Sequence, residues 1–298
     1  MPGHPLEVTM NVRPAAGGAS GDGPAQEPPA IIIDPGPRGF RSLRELWANR
    51  ELLAFFIWKD LKVRFKQTLI GGLWIIIQPL ATMLVFSLFF GRLARMPSGG
   101  IPYPLFYFSA LLPWFYFANA VAQATHTMVE NQRVITKVYF PRLLLPIAAV
   151  ISGLVDLAIS FIPLLGMAIF YGIPPSPRLL LIPLFALMAL LAALGIGLWL
   201  SALNALYRDV RYALPFLIQL WMFASPVVYP ASLVPGRWRW LYNLNPLAGI
   251  IEGFRWAVVG QGTPPDLNLL VSLAVIAILL LSGLRFFLRV EGTIIDMV

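Results

Sequence analysis

Apolar residues dominate the chain from Thr68 onward in blocks that reach the roughly 20 residues a helix needs to cross a hydrocarbon layer about 30 Å thick. The blocks run approximately over 68–91, 105–128, 143–171, 179–201, 212–229 and 267–287, which predicts six crossings. Pro79, Pro113, Pro146, Pro163, Pro183 and Pro215 fall within or at the ends of these blocks. Proline at that frequency is tolerated in membrane helices because neighbouring groups re-satisfy the freed carbonyls. The expected fold class is therefore an all-α polytopic membrane protein with six transmembrane helices.

Before the first block, Leu46, Leu53, Ile57, Leu61 and Phe65 recur near helical spacing, with Lys59, Lys62 and Lys66 on another face. This pattern predicts an amphipathic helix within 38–67 lying at the membrane interface, where Trp47 and Trp58 suit headgroup depth. A solvated surface helix is the alternative. Residues 1–37, containing RPAAGGASGDGPAQEPP, show no period and are expected to form a disordered cytoplasmic tail. The remaining 68–298 forms the membrane domain.

The segment 230–262 breaks the pattern, because its three arginines and four tryptophan or tyrosine residues interrupt an apolar stretch. Two arrangements reconcile this: a re-entrant pair of short helices broken near Pro235, Gly236 and Pro246, or a hairpin lying flat on the outer leaflet.

Composition agrees with insertion: of 298 residues, 58% are hydrophobic and only 12% charged, with a mean hydropathy of +0.75. Soluble domains carry about a quarter charged residues. The net charge of +8 does not point to nucleic acid, since the basic residues lie beside apolar blocks where anionic headgroups attract them. Twelve of these border the N-terminal side (Arg50, Lys59, Lys62, Arg64, Lys66, Arg133, Lys137, Arg142, Arg208, Arg211, Arg285, Arg289). Six border the other (Arg92, Arg95, Arg178, Arg237, Arg239, Arg255), so both termini are expected in the cytoplasm.

The chemistry available to the chain is narrow. No cysteine is present, which excludes disulfides, thiolate metal sites and cysteine nucleophiles, and His4 and His126 are too few for a histidine metal site. No G-x-x-x-x-G-K-[ST] run occurs, so ATP and magnesium, if used, belong to a partner subunit, and no cofactor is expected on this chain. Asp156 is the one acid near the middle of a clear span. Intramembrane acids are functional candidates by default, although a lone one favours an interhelical hydrogen-bond partner over a substrate contact or proton relay. Aromatic residues including Tyr107, Phe108, Trp114 and Tyr116 crowd the outer ends of the first two spans. Such residues are either interfacial belt or the walls of a conduit. Trp238, Arg239, Trp240 and Tyr242 are the corresponding gate candidates in the outer segment.

Four stretches carry a resemblance: WKDLKVRFKQTLIGGLWIIIQPL (Trp58 to Leu80), YFPRLLLP (Tyr139 to Pro146), ALYRDVRYALPFLIQLWMFASPVVYP (Ala205 to Pro230) and LNPLAGIIEGFRW (Leu244 to Trp256). In order and spacing they resemble the permease subunits of ABC transporters that export O-antigen, teichoic acid and related lipid-linked polysaccharides. The resemblance covers 40–298, and the long tail before Phe40 departs from it. It implies a homodimer with two cytoplasmic ATP-binding subunits in the cell's cytoplasmic membrane, an N-terminal amphipathic helix, outer re-entrant gate helices and a lipid-linked polysaccharide cargo. It also implies a coupling helix over 130–140, in which Glu130, Arg133, Lys137 and Tyr139 would meet the ATPase. A merely solvated basic loop is the alternative there. The competing function class is a multipass enzyme or stand-alone carrier acting on glycolipids, for which a paired acid and base or internal repeats with midplane charges would be required. The sequence displays neither.

Overall fold

The computed structural model describes residues 47–66, 71–138, 140–207, 209–260, 264 and 267–297. The expected tail 1–37, the start of the interfacial helix and Tyr139 lie outside the described residues. In chain order the helices are α1 (Arg50–Lys66), α2 (Trp74–Phe86), α3 (Tyr103–Glu130), α4 (Gln132–Ile135), α5 (Leu144–Phe170), α6 (Ile182–Leu206), α7 (Val210–Ala224), α8 (Arg239–Asn243), α9 (Pro246–Val259) and α10 (Leu267–Met297). Among the described residues there is no β-strand, and the protein is an all-α polytopic membrane protein.

Among the described residues, five segments are long and apolar enough to cross a membrane: Trp74–Leu93, Tyr103–Glu130, Leu144–Phe170, Pro177–Leu206 and Leu269–Glu291. The expected crossing over 212–229, the fifth in chain order, is built differently. Its helix α7 has 15 residues, about 22 Å of rise, and ends short of the roughly 30 Å required. The chain continues through turns in which Val227 and Val228 are nevertheless buried. Irregular backbone at such depth is stable only inside protein, with its carbonyls supplied with donors.

The helix α3 is the centre of the molecule and packs against α2, α5, α6, α7 and α9. Of its most apolar stretch 83% is buried, against 22% for Trp74–Leu93 and 17% for Leu269–Glu291, so those two turn most of their apolar surface outward to lipid or to another chain. Helices α6 and α10 approach closely at Gly195, where an added Cβ would lie 2.8 Å from the Leu280 backbone nitrogen. Small residues permit that approach, and dispersion between backbones then replaces the hydrophobic drive that lipid does not supply.

Proline sites are satisfied individually. Pro79 has no N–H, which leaves the Ile75 carbonyl without its helical donor. The Ser160 hydroxyl of α5 donates to that carbonyl at 3.1 Å. The bend therefore doubles as a tie between α2 and α5. Beyond Phe86, α2 continues as a π-helix over Ser87–Leu93, where each turn takes an extra residue.

Candidate functional site

The helix α1, expected at the membrane interface, packs against α5. Phe56 is its buried anchor, and its ring lies 5.4 Å from that of Phe140 in a cluster with Ile135, Leu143 and Phe287. Phe56, Asp60 and Arg64 are spaced four apart and therefore share the inward face. Trp58 and Val63 stay exposed between the charges, so the apolar stripe is divided between protein and surroundings. Burial pushes the Asp60 carboxyl above its ordinary range, opposed by Lys59 and Arg64 and reinforced by Glu130.

Arg64 reaches from α1 to the membrane-spanning helices α5 and α3. One of its guanidinium nitrogens pairs with Asp156 of α5, and the other donates to Gln123 Oε1 of α3 at 2.5 Å. Three helices thus meet on one cation. Asp156 has the interhelical partner that its isolation in an apolar span demands, but the partner is an arginine 92 residues away rather than a neighbouring span's hydroxyl or amide. Sequence reasoning counted Arg64 only among the flanking basic residues. Its register with Phe56 and Asp60 was the signal that it faces inward.

Beside the pair lies a cavity of about 340 Å³, lined by Trp74, Gln78, Phe115, Tyr116, Asn119, Gln123 and Ser160 together with Arg64 and Asp156. Tyr116 is itself buried, with its hydroxyl donating to the Val150 carbonyl at 3.2 Å. Trp74, Gln78 and Asn119 are exposed and mark the open side. Of the aromatic conduit candidates, Tyr116 lines this cavity, whereas Tyr107, Phe108 and Trp114 are packed within the core of the protomer.

The connection after α3 is arranged as an anchored, outward-facing platform. Ile135 and Phe140 are buried beneath it, while Glu130, Arg133, Val134, Lys137 and Val138 are exposed. Only Gln132–Ile135 forms an α-helix, a single turn followed by further turns. Lys59 donates to Asn131 Oδ1 at 2.7 Å, and Arg142 donates to the Glu291 carbonyl at 2.6 Å, so the platform is tied to α1 at one end and α10 at the other.

At the opposite end, Trp238, Arg239 and Trp240 are exposed and Tyr242 is half-buried beside Tyr229, their rings 6.5 Å apart. The break at Pro246 is closed by Asn245. Its Oδ1 accepts from Leu247 N at 3.1 Å as an N-cap and from Trp221 Nε1 at 3.0 Å, and its Nδ2 donates to Ser225 Oγ at 2.9 Å. The arginine that matters structurally here is Arg255. It is 5% exposed, donates to the Pro226 carbonyl at 2.7 Å and lies 3.9 Å over the Phe106 ring. That carbonyl belongs to the irregular stretch after α7, so Arg255 supplies the donor that the short fifth crossing needs. Its register with Ile251 and Val258, both buried, was the available sign.

Among the described residues no group of histidine, cysteine or acidic side chains could hold a metal ion. The family model of the ABC-2 type transporter matches residues 51–259. The chain is 31% identical to the O-antigen export system permease protein RfbA of Myxococcus xanthus over 81% of this chain and 92% of that protein. It is 30% identical to a protein of the same name from Klebsiella pneumoniae, over 69% of this chain and 79% of the relative. The polysialic acid transport protein KpsM of Escherichia coli is 25% identical over 67% of this chain and 78% of its own length. With the match spanning α1 to α9 and the helical membrane architecture in agreement, the chain belongs to the ABC-2 type transporter family of membrane permeases.

Proposed function

We propose that this chain is the transmembrane subunit of an ATP-driven exporter that carries a lipid-linked polysaccharide from the cytoplasm to the outer face of the cytoplasmic membrane. The observation that carries the reading is the alignment with an O-antigen export permease over 92% of that protein's length. ATP is hydrolysed by a separate subunit, two copies of which serve a homodimer of this chain, and both termini lie in the cytoplasm.

The platform after α3 is the coupling element in this reading. Arg133 and Lys137 present cations at i, i+4 to acidic groups of the ATPase, while Ile135 and Phe140 hold the underside to α1 and the core. Closure of the ATPase pair is passed through Asn131 to Lys59 and through Arg142 to α10. At the outer end, Trp238, Arg239, Trp240 and Tyr242 form the gate. A proton-coupled stand-alone carrier would want midplane charges free to exchange protons, whereas Asp156 is paired with Arg64. The test is deletion of the gene with measurement of cell-surface polysaccharide, together with affinity purification of the chain. Loss of surface glycan, glycan retained in the cytoplasm and co-purification of an ATPase are expected. Unchanged surface glycan in the deletion strain defeats the reading.

A further inference from the structure

Resting on the exporter reading, we infer that the cavity beside Arg64 and Asp156 is a subsite for a neutral sugar ring of the cargo, and that it selects hydroxyl groups over phosphate. Its volume of about 340 Å³ falls at the lower end of the roughly 300–1,000 Å³ typical of small-ligand pockets, a size for a short piece of a chain rather than a polymer coil. The walls combine the planes of Trp74, Phe115 and Tyr116 with the amides of Gln78, Asn119 and Gln123. Aromatic planes receive the C–H faces of a sugar ring, and amides both donate to and accept from its hydroxyls.

Charge separates the sugar from its phosphate. Arg64 and Asp156 are the two charged lining residues and they neutralise each other. A phosphate entering here must take Arg64 away from Asp156 and place its own anionic oxygens beside that carboxylate, a like-charge contact in a medium that screens little. The second carboxylate oxygen sharpens the preference. Asp156 Oδ1 is buried and has no hydrogen-bond donor among the described residues. An ionised carboxylate can only accept, so what satisfies it is a donor group. A sugar hydroxyl brings one, whereas an ionised phosphodiester of a lipid-linked cargo brings none. The open side, at Trp74, Gln78 and Asn119, lets a passing chain present a ring without threading its end into the cavity.

The experiment uses the assembled exporter in native membranes with Phe115 replaced by the photoreactive aromatic benzoylphenylalanine. Illumination during export is expected to attach glycan to the permease, seen as a periodate-sensitive increase in mass. Asn119→Leu, which leaves the ion pair in place, should lower the yield severalfold, and Asp156→Asn about tenfold through loss of a charge-assisted hydrogen bond. Delipidated, dephosphorylated glycan released from the cargo should compete for cross-linking, whereas dimethyl phosphate, an ionised diester with no O–H group, at the same concentration should not. Absence of glycan cross-links while surface polysaccharide is still made overturns the subsite and leaves the cavity to water. Equal competition by dimethyl phosphate overturns the selectivity. Unchanged surface polysaccharide in a strain lacking this chain defeats the exporter reading itself, a result distinct from either.

Discussion

Arg64 and Asp156 hold opposite charges between helices where water is scarce, with side chains 22% and 18% exposed. Removing one partner strands the other, so each single change should cost more than its share of the pair. A double-mutant cycle with Arg64→Gln and Asp156→Asn is expected to give a coupling of about 1–2 kcal/mol in detergent-denaturation midpoints; additive costs would show that the contact carries no stability. Asn245 makes a second residue-scale prediction. Asn245→Ala should lose about 1 kcal/mol from the cap alone. Asn245→Asp keeps the oxygen that caps Leu247 N but loses the donor to Ser225, so its midpoint should fall between wild type and alanine.

At the scale of elements, α1 joins the interface to the core, and Asp60 makes its docking sensitive to pH. The docked carboxyl has a raised pKa because burial disfavours its charge. Docking is therefore strongest below the ordinary carboxylate range and weakens as pH rises through the raised value. The protection factors of the α1 amides, with the intrinsic base-catalysed exchange rate at each pH divided out, should be higher at pH 4 than at pH 7, and Asp60→Asn should flatten that difference; an unchanged pH dependence in the variant would assign it elsewhere. The platform after α3 is separable in the same way, since its anchors point in and its charges point out. Reversing Arg133 and Lys137 to glutamate should leave the permease assembled while ATP hydrolysis no longer drives export. Wild-type transport by that double variant would remove the platform from the coupling path.

Over the whole molecule, the long spans were legible because continuous apolar runs of their length have few soluble alternatives. The limits of that reading are physical. The fifth crossing can stop short in α7 where Arg255, remote in sequence, supplies a donor to the Pro226 carbonyl, and a window of hydropathy does not register such a tertiary hydrogen bond. The cavity was half legible: Asp156 stood out by its cost, but Arg64 was hidden among headgroup cations until α1 folded against α5. Tyr107, Phe108 and Trp114 looked like conduit walls from composition, which cannot tell a wall from a core. The outer gate tests the molecule as an assembly. Within one protomer Trp238 and Trp240 are 51% and 65% exposed, whereas Leu247 and Ala248 are buried in the core. Any protection of the two tryptophans at rest must then come from a second copy or from the membrane, and must be released when glycan passes. The chain has no native cysteine, so single cysteines at these four positions report without background. An impermeant thiol reagent added outside should leave all four unlabelled at rest. During export it should label positions 238 and 240, with 247 and 248 protected in both states. Labelling of 238 and 240 that is equal at rest and during export would make the segment a flat surface hairpin, and the gate would be abandoned.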